Sequence, residues 1–284
     1  MPSFDLFLSK PGSPISYNFY PAIKQSPLLP KFLIVFINGL ELSTAGWFRS
    51  INLLRYSGFP VPAVLTYDRF GQGHSSSRDP LDVTDLHELL ITIPSSRLNV
   101  SKAEFETGKV PLLLVGHSIG GPIIRLYVEY HPGLVAGAVI LDSSIANVDY
   151  SDSLPNPDTA DFDPESVTAQ DCTLEQYRKA SNDLVKIFDL KVKNTEFLDR
   201  TTGPEVLPYD DKLKLVGVGG EGPWLSIVGH DPVTYAEDDF EKMGTPKSMS
   251  MKFSNAYWAK YNQGLTKITN GLADIFALQQ EAPQ

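Results

Sequence analysis

The chain has 284 residues, 42% of them hydrophobic and 20% charged, enough for one full core or for one domain carrying an insertion. A formal net charge of −10 argues against nucleic acid and anionic membrane as partners, because both reward clustered Lys and Arg. Cys172 is the single cysteine, so no intramolecular disulfide forms and the composition fits a reducing compartment.

Strand-like and helix-like patterns alternate from the start. Residues 15–20 alternate in polarity and end at Pro21, as an edge strand does. Residues 32–37 are continuously apolar, the mark of a strand covered on both faces, and Asn38-Gly39 breaks them. A helix is predicted over 44–56, a short strand over 63–67, and a helix over 82–93 that stops before Pro94. Residues 110–115 form a buried strand, 119–130 a helix, and 135–141 a further buried strand ending at Asp142. This alternation implies an α/β fold: a mostly parallel, doubly wound sheet with helices on both faces.

The middle of the chain differs. Residues 149–171 hold five acidic residues between Asp152 and Glu165, three prolines and no Lys or Arg, and read as an irregular surface insertion. Helical spacing returns over 173–190. We take 143–222 as a cap laid over the sheet, between a first core part at 1–142 and a C-terminal core part at 223–284. A strand is predicted over 224–228 and a helix over 255–279, with kinks at Gly264 and Gly271. On this reading the last strand is missing.

The most informative stretch is the strand that runs into Gly116-His117-Ser118-Ile119-Gly120 and then into a helix. Such a strand–turn–helix holds one serine hydroxyl exposed above a sheet, as a nucleophile requires. One strand upstream stands Tyr67-Asp68-Arg69-Phe70-Gly71-Gln72-Gly73-His74-Ser75. Over residues 15–145 the chain resembles the α/β-hydrolase superfamily. It matches that family's Tyr-Asp-Arg-x-Gly-x-Gly-x-Ser loop, its serine elbow and the following strand 139–143, with Asn38-Gly39 where the family often has His-Gly. Residues 226–232 and 258–262 resemble fungal members from toxin and secondary-metabolite gene clusters.

The resemblance implies roles residue by residue. Ser118 is the expected nucleophile. Backbone N–H groups of Leu40 and Ile119 are the expected oxyanion hole. Asp231 and Asp142, each at a strand end, are alternative acids. Asn38 and His74 are candidates for substrate contact, and Asp68 and Arg69 are expected to brace their loop as an ion pair. The family order is serine, acid, histidine, yet no histidine follows His230. His230 is therefore the candidate base, most easily with Ser118 and Asp142, because adjacent side chains at a strand end point oppositely and His230 and Asp231 would not face each other. His117 is expected to point away from the reacting atom, His131 to cap a helix and His87 to lie on a surface helix. Either the chain is short by a strand and a histidine loop, or this member has lost its general base.

The expected function is a serine hydrolase acting on an ester, thioester or related small-molecule acyl substrate, in fungal toxin or secondary-metabolite biosynthesis. Two alternatives stand beside it: a release or cyclisation catalyst without a full triad, and a non-catalytic member. The fold calls for no cofactor, and no metal-ligand cluster appears. Residues 1–10 have an acid inside a short apolar patch and no basic start, a poor secretory signal. No apolar run approaches the ~18 residues of a membrane span. The expected location is cytoplasmic. A peroxisomal one is compatible with the resemblance, although the terminal Glu281-Ala282-Pro283-Gln284 is not a Ser-Lys-Leu address.

Overall fold

The computed structural model describes residues 3–9, 14–24, 31–76 and 83–277. Its centre follows from the apolar runs. Leu33–Ile37 (β3) and Ala63–Tyr67 (β4) are buried at every position, as strands covered on both faces must be. They join Phe4–Leu6 (β1), Ile15–Tyr20 (β2), Leu112–His117 (β5), Val135–Leu141 (β6), Trp224–Gly229 (β7) and Ala273–Ala277 (β8) in one eight-stranded sheet, order β1-β2-β4-β3-β5-β6-β7-β8. The β1/β2 and β2/β4 pairs are antiparallel; β3 through β8 run parallel. The sheet is thus of the predicted doubly wound type.

Two helical segments flank the first half: Phe48–Arg55 (α1), entered through a 3-10 turn at Thr44–Trp47, and Val83–Leu98 (α2). The latter runs past Pro94, where the sequence predicts a stop. Leu86, Leu89, Leu90 and Ile93 are fully or nearly fully buried, and Ser96 Oγ donates to the carbonyls of Thr92 and Ile93 around the proline. Packing outweighs the one backbone bond that proline removes. Lys102–Glu106 (α3) and Gly120–Tyr130 (α4) follow on either side of β5.

Between β6 and β7 lie 3-10 turns at Tyr150–Ser153 and Pro164–Ser166, then Leu174–Phe188 (α5) and Gly203–Val206 (α6). A capping box of Thr173 and Gln176 starts α5. Its Tyr177, Ala180 and Leu184 form a separate apolar cluster with Tyr150, Leu154 and Met249.

After β7 come Pro232–Met243 (α7), Lys247–Met249 (α8), a π-helical segment at Ser250–Ser254, and Asn255–Leu265 (α9). The helix predicted over 255–279 therefore ends at Leu265. Thr269 Oγ donates to Pro223 O, and the backbone of Gly271 lies too close to that of Gly222 and Pro223 for any Cβ. That turn sends the chain alongside β7 as β8, so the sheet has an eighth strand where the sequence pattern predicts a continuing helix and no last strand. The motif Ala273–Ala277 is unremarkable alone; it becomes a strand because β7 offers it a parallel edge from Leu225 to Gly229.

Candidate active site

The candidate residues gather at the carboxyl ends of β3, β5, β6 and β7, the side on which open parallel sheets bind ligands. At the end of β5 the chain turns so tightly that Ser118 adopts a φ of +53°. For a serine this is strained, and such strain clusters at functional sites. The flanking glycines permit it. A Cβ on Gly116 would stand 2.7 Å from the backbone of Gly120, and one on Gly120 would stand 2.7 Å from Ile37 O.

Above this turn opens a cavity of about 510 Å³. Its wall is mostly aliphatic and aromatic, with Ile123, Leu126, Val148, Phe188 and Leu198 among its members, and Ser118, Asp142 and Ser144 interrupt it. Size and lining are those of a small-molecule site.

Two backbone donors beside this space have no partner. Among the described residues neither Leu40 N–H nor Ile119 N–H makes a hydrogen bond, and both residues line the cavity. The peptide planes explain why. Gly39 O is held by Arg69 Nη2 and Gln72 Nε2 at 2.9 and 2.8 Å, and Ser118 O by the N–H groups of Gly121 and Ser144 at 3.0 and 3.1 Å. In a planar trans peptide the N–H points opposite to the carbonyl, so fixing each carbonyl aims the following N–H away from it.

The Ser118 hydroxyl lies 3.0 Å from Ser144 Oγ. The His230 ring is engaged on both sides: Nδ1 is 2.7 Å from Asp142 Oδ1 and Nε2 is 3.0 Å from Asn255 Oδ1. Asn255 is oriented by its own Nδ2, which donates to Pro232 O at 2.8 Å. Both groups facing the ring are therefore acceptors, and only the doubly protonated imidazolium satisfies both. Burial pulls the His230 pKa down. The Asp142 hydrogen bond and charge, the Asn255 oxygen and Asp231 outweigh it and leave the pKa raised above 6.5. The ring stacks on Tyr235 at 4.2 Å and meets Trp258 edge-on at 5.9 Å; Asp142, Tyr235 and Trp258 all reach the cavity wall.

Asp231, the other predicted acid, accepts from Thr234 N–H at 2.8 Å and caps α7. Asn38 is buried, its amide spent on Tyr67 O, Gln72 Oε1 and the Trp47 indole, which leaves no group for a substrate. The His74 side chain is exposed and only its backbone N–H is tied, to Asp68 Oδ2. Asp68 and Arg69 do not pair with each other as expected. Asp68 accepts from the backbone of Thr44 and His74, whereas Arg69 meets Glu196 at 2.6 Å.

His131 ends α4 as predicted and stacks on His87 with ring centroids 3.7 Å apart. His87 is more enclosed than a surface helix suggests: its Nδ1 is 3.0 Å from Tyr127 Oη, and burial first, then the neighbouring His131, push its pKa down to about 4. His117 contributes to the cavity wall, and burial lowers its pKa against the opposing pull of Asp142.

Three participants escaped sequence reading: Ser144, Asn255 and Glu196. Ser144 lies three residues past the end of β6, a position that could have drawn notice. Asn255 follows a π-helical segment, and Glu196 sits in a stretch without periodicity, so neither carries a local signal.

A mostly parallel α/β sheet with a strained serine at one strand end, two free N–H groups and an apolar cavity defines the class: an α/β protein built around a half-buried elbow serine. The chain belongs to the alpha/beta hydrolase family, whose sequence profile matches residues 34–246. Among solved structures it is similar to alpha/beta hydrolase domain-containing protein 10 from mouse, at 14% identity over 99% of this chain and 90% of that one, TM-score 0.54. It is similar to a thermostable carboxyl esterase from Bacillus coagulans at 13% identity over 97% and 89%, TM-score 0.54. A hydrolase from Pseudomonas aeruginosa matches at 14% identity over 97% and 89%, TM-score 0.52. At these identities the likeness shows the fold. No curated protein matches the sequence significantly. Among the described residues no helix is long and apolar enough to cross a membrane.

Proposed function

We propose that the protein is a serine-dependent acyl-transfer enzyme, a hydrolase of an ester or thioester with an apolar acyl group. The observation that carries this reading is the strained Ser118 on the wall of the cavity, with the free N–H groups of Leu40 and Ile119 on the same wall. Ser118 Oγ gives up its proton and attacks the carbonyl, and the developing oxyanion is received by those two donors. Its collapse expels the alcohol or thiol with that proton and leaves an acyl-serine ester, and water then hydrolyses the ester to release the acid and restore Ser118. Asp142 and His230 are the acid–base pair, and segment 143–222 acts as a cap that supplies much of the apolar wall.

The resting arrangement limits how His230 takes part. Its Nε2 faces Asn255, not Ser118, so the ring must lose a proton and leave Asn255 before it accepts one from the serine. An oxyanion hole and a binding site alone still give about 10³–10⁴-fold acceleration over water. The same observation favours a second reading, a release or cyclisation catalyst that uses the hole without a working triad. A role in fungal secondary metabolism rests only on the resemblance of residues 226–232 and 258–262. A non-catalytic role is the third reading.

A fluorophosphonate serine probe separates these. Labelling that disappears in Ser118→Ala is expected. Absence of labelling in the folded wild-type protein would remove the hydrolase reading and leave the other two.

A further inference from the structure

The free Leu40 N–H depends on residues far away in the chain. Arg69 donates to Asn38 O at 2.7 Å and to Gly39 O at 2.9 Å, and Gln72 Nε2 also donates to Gly39 O. Both side chains are set by one carboxylate. Glu196 accepts from Arg69 Nε and Nη2 at 2.6 and 3.1 Å and from Gln72 Nε2 at 2.8 Å. It also accepts from Glu41 N–H at 2.6 Å, while Glu41 Oε1 takes Thr195 N–H at 2.7 Å in return. Glu41 itself has a φ of +58°, a conformation it holds only under such constraint. Arg69 and Glu196 are 1% and 2% exposed, so this is a desolvated, bidentate pair.

Glu196 comes from the segment between α5 and α6, and that same segment lines the cavity with Leu190, Leu198 and Arg200. One stretch of chain therefore touches the space for the acyl group at one end and braces the β3 loop at another.

We infer that Glu196 is a positioning residue that makes the Leu40 N–H donor conditional on docking of segment 189–200. The inference rests on the acyl-transfer reading of Ser118 and deepens it. With Glu196 withdrawn, Arg69 loses its counter-charge, Glu41 N–H loses its acceptor, and the Gly39–Leu40 peptide is free to turn. An acyl chain long enough to pack on Leu190 and Leu198 holds the segment down and so completes the oxyanion hole. Chain length is then read in kcat as well as in KM, because the contact matters for the transition state and not only for binding.

Two variants test this: Glu196→Gln, and the double change Arg69→Met with Glu196→Leu. The double variant replaces a buried ion pair by apolar side chains of similar bulk, a change that proteins tolerate, and a thermal melt checks that it folds. Two quantities are read: amide hydrogen exchange of the peptide covering residues 38–42, and the rate of fluorophosphonate labelling of Ser118. Exchange at 38–42 is expected to rise at least tenfold while that of β5 stays unchanged. Labelling is expected to fall at least tenfold; loss of one oxyanion donor costs about 10²–10³-fold in rate. Unchanged exchange in the folded double variant overturns the inference, as does faster exchange with unchanged labelling. A wild-type protein that is never labelled defeats the acyl-transfer reading instead, and the exchange measurement still decides whether Glu196 holds the loop.

Discussion

Gly116→Ala is the most direct test of the elbow. An added Cβ would stand 2.7 Å from both the carbon and the oxygen of the Gly120 carbonyl and 2.8 Å from Ile124 Cδ1, about 0.7 Å short of the 3.4 Å at which ordinary contact begins. The isoleucine tip can swing away; the Gly120 backbone has little room to yield, because even a Cβ on Gly120 would stand 2.7 Å from Ile37 O. The turn must open by several tenths of an ångström, which moves Ser118 relative to Leu40 N–H. Overpacking of this kind costs about 1–3 kcal/mol of stability. A misplacement near 1 Å costs about 10²-fold in rate, so a tenfold or greater loss of fluorophosphonate labelling is expected. The control is Gly46→Ala in the 3-10 turn, where a Cβ meets nothing within 4 Å and stability should hold or rise slightly. Urea unfolding gives the first quantity and timed labelling the second. If Gly116→Ala matches wild type within about 0.5 kcal/mol and labels at the wild-type rate, the close-packed elbow is wrong.

The clamp on His230 predicts a pH dependence. Its folded-state pKa is raised, so its contribution to stability is complete below the unfolded value of 6.5 and is lost as pH rises through the folded value. The stability gap between wild type and His230→Gln should therefore shrink from pH 6 toward pH 9 in urea titrations; a gap that widens would mean that the ring is held neutral. Cavity filling tests the acyl site. Val206→Trp, on a half-exposed wall residue, should cut kcat/KM for long-chain p-nitrophenyl esters at least tenfold while acetate is spared. Equal losses for both esters would show that the cavity does not hold the acyl chain.

Much of this protein is decided by local pattern. The apolar runs at β3, β4, β5 and β6 can be satisfied only between two layers of helices, and the glycines around Ser118 allow one tight turn and little else. That is why the fold, the parallel sheet and the elbow were legible in the sequence. That Asp142 and His230 stand at neighbouring strand ends was legible too, whereas the choice of Asp142 over Asp231 as the partner of the ring was left open until the fold set the two 2.7 Å apart. Other features depended on contacts between segments far apart in the chain. β8 forms because β7 presents a free edge, α2 runs through Pro94 because its apolar face is buried, and Arg69 finds Glu196 across 127 residues instead of its neighbour Asp68. The state of His230 is of the same kind: whether it is a base or a held cation depends on Asn255, placed opposite it by a helix that starts 25 residues later. Periodicity and turn chemistry act within a few residues and can be read in order along the chain. Hydrogen-bond partners and charge pairs are chosen by distance in space, which only the folded structure sets.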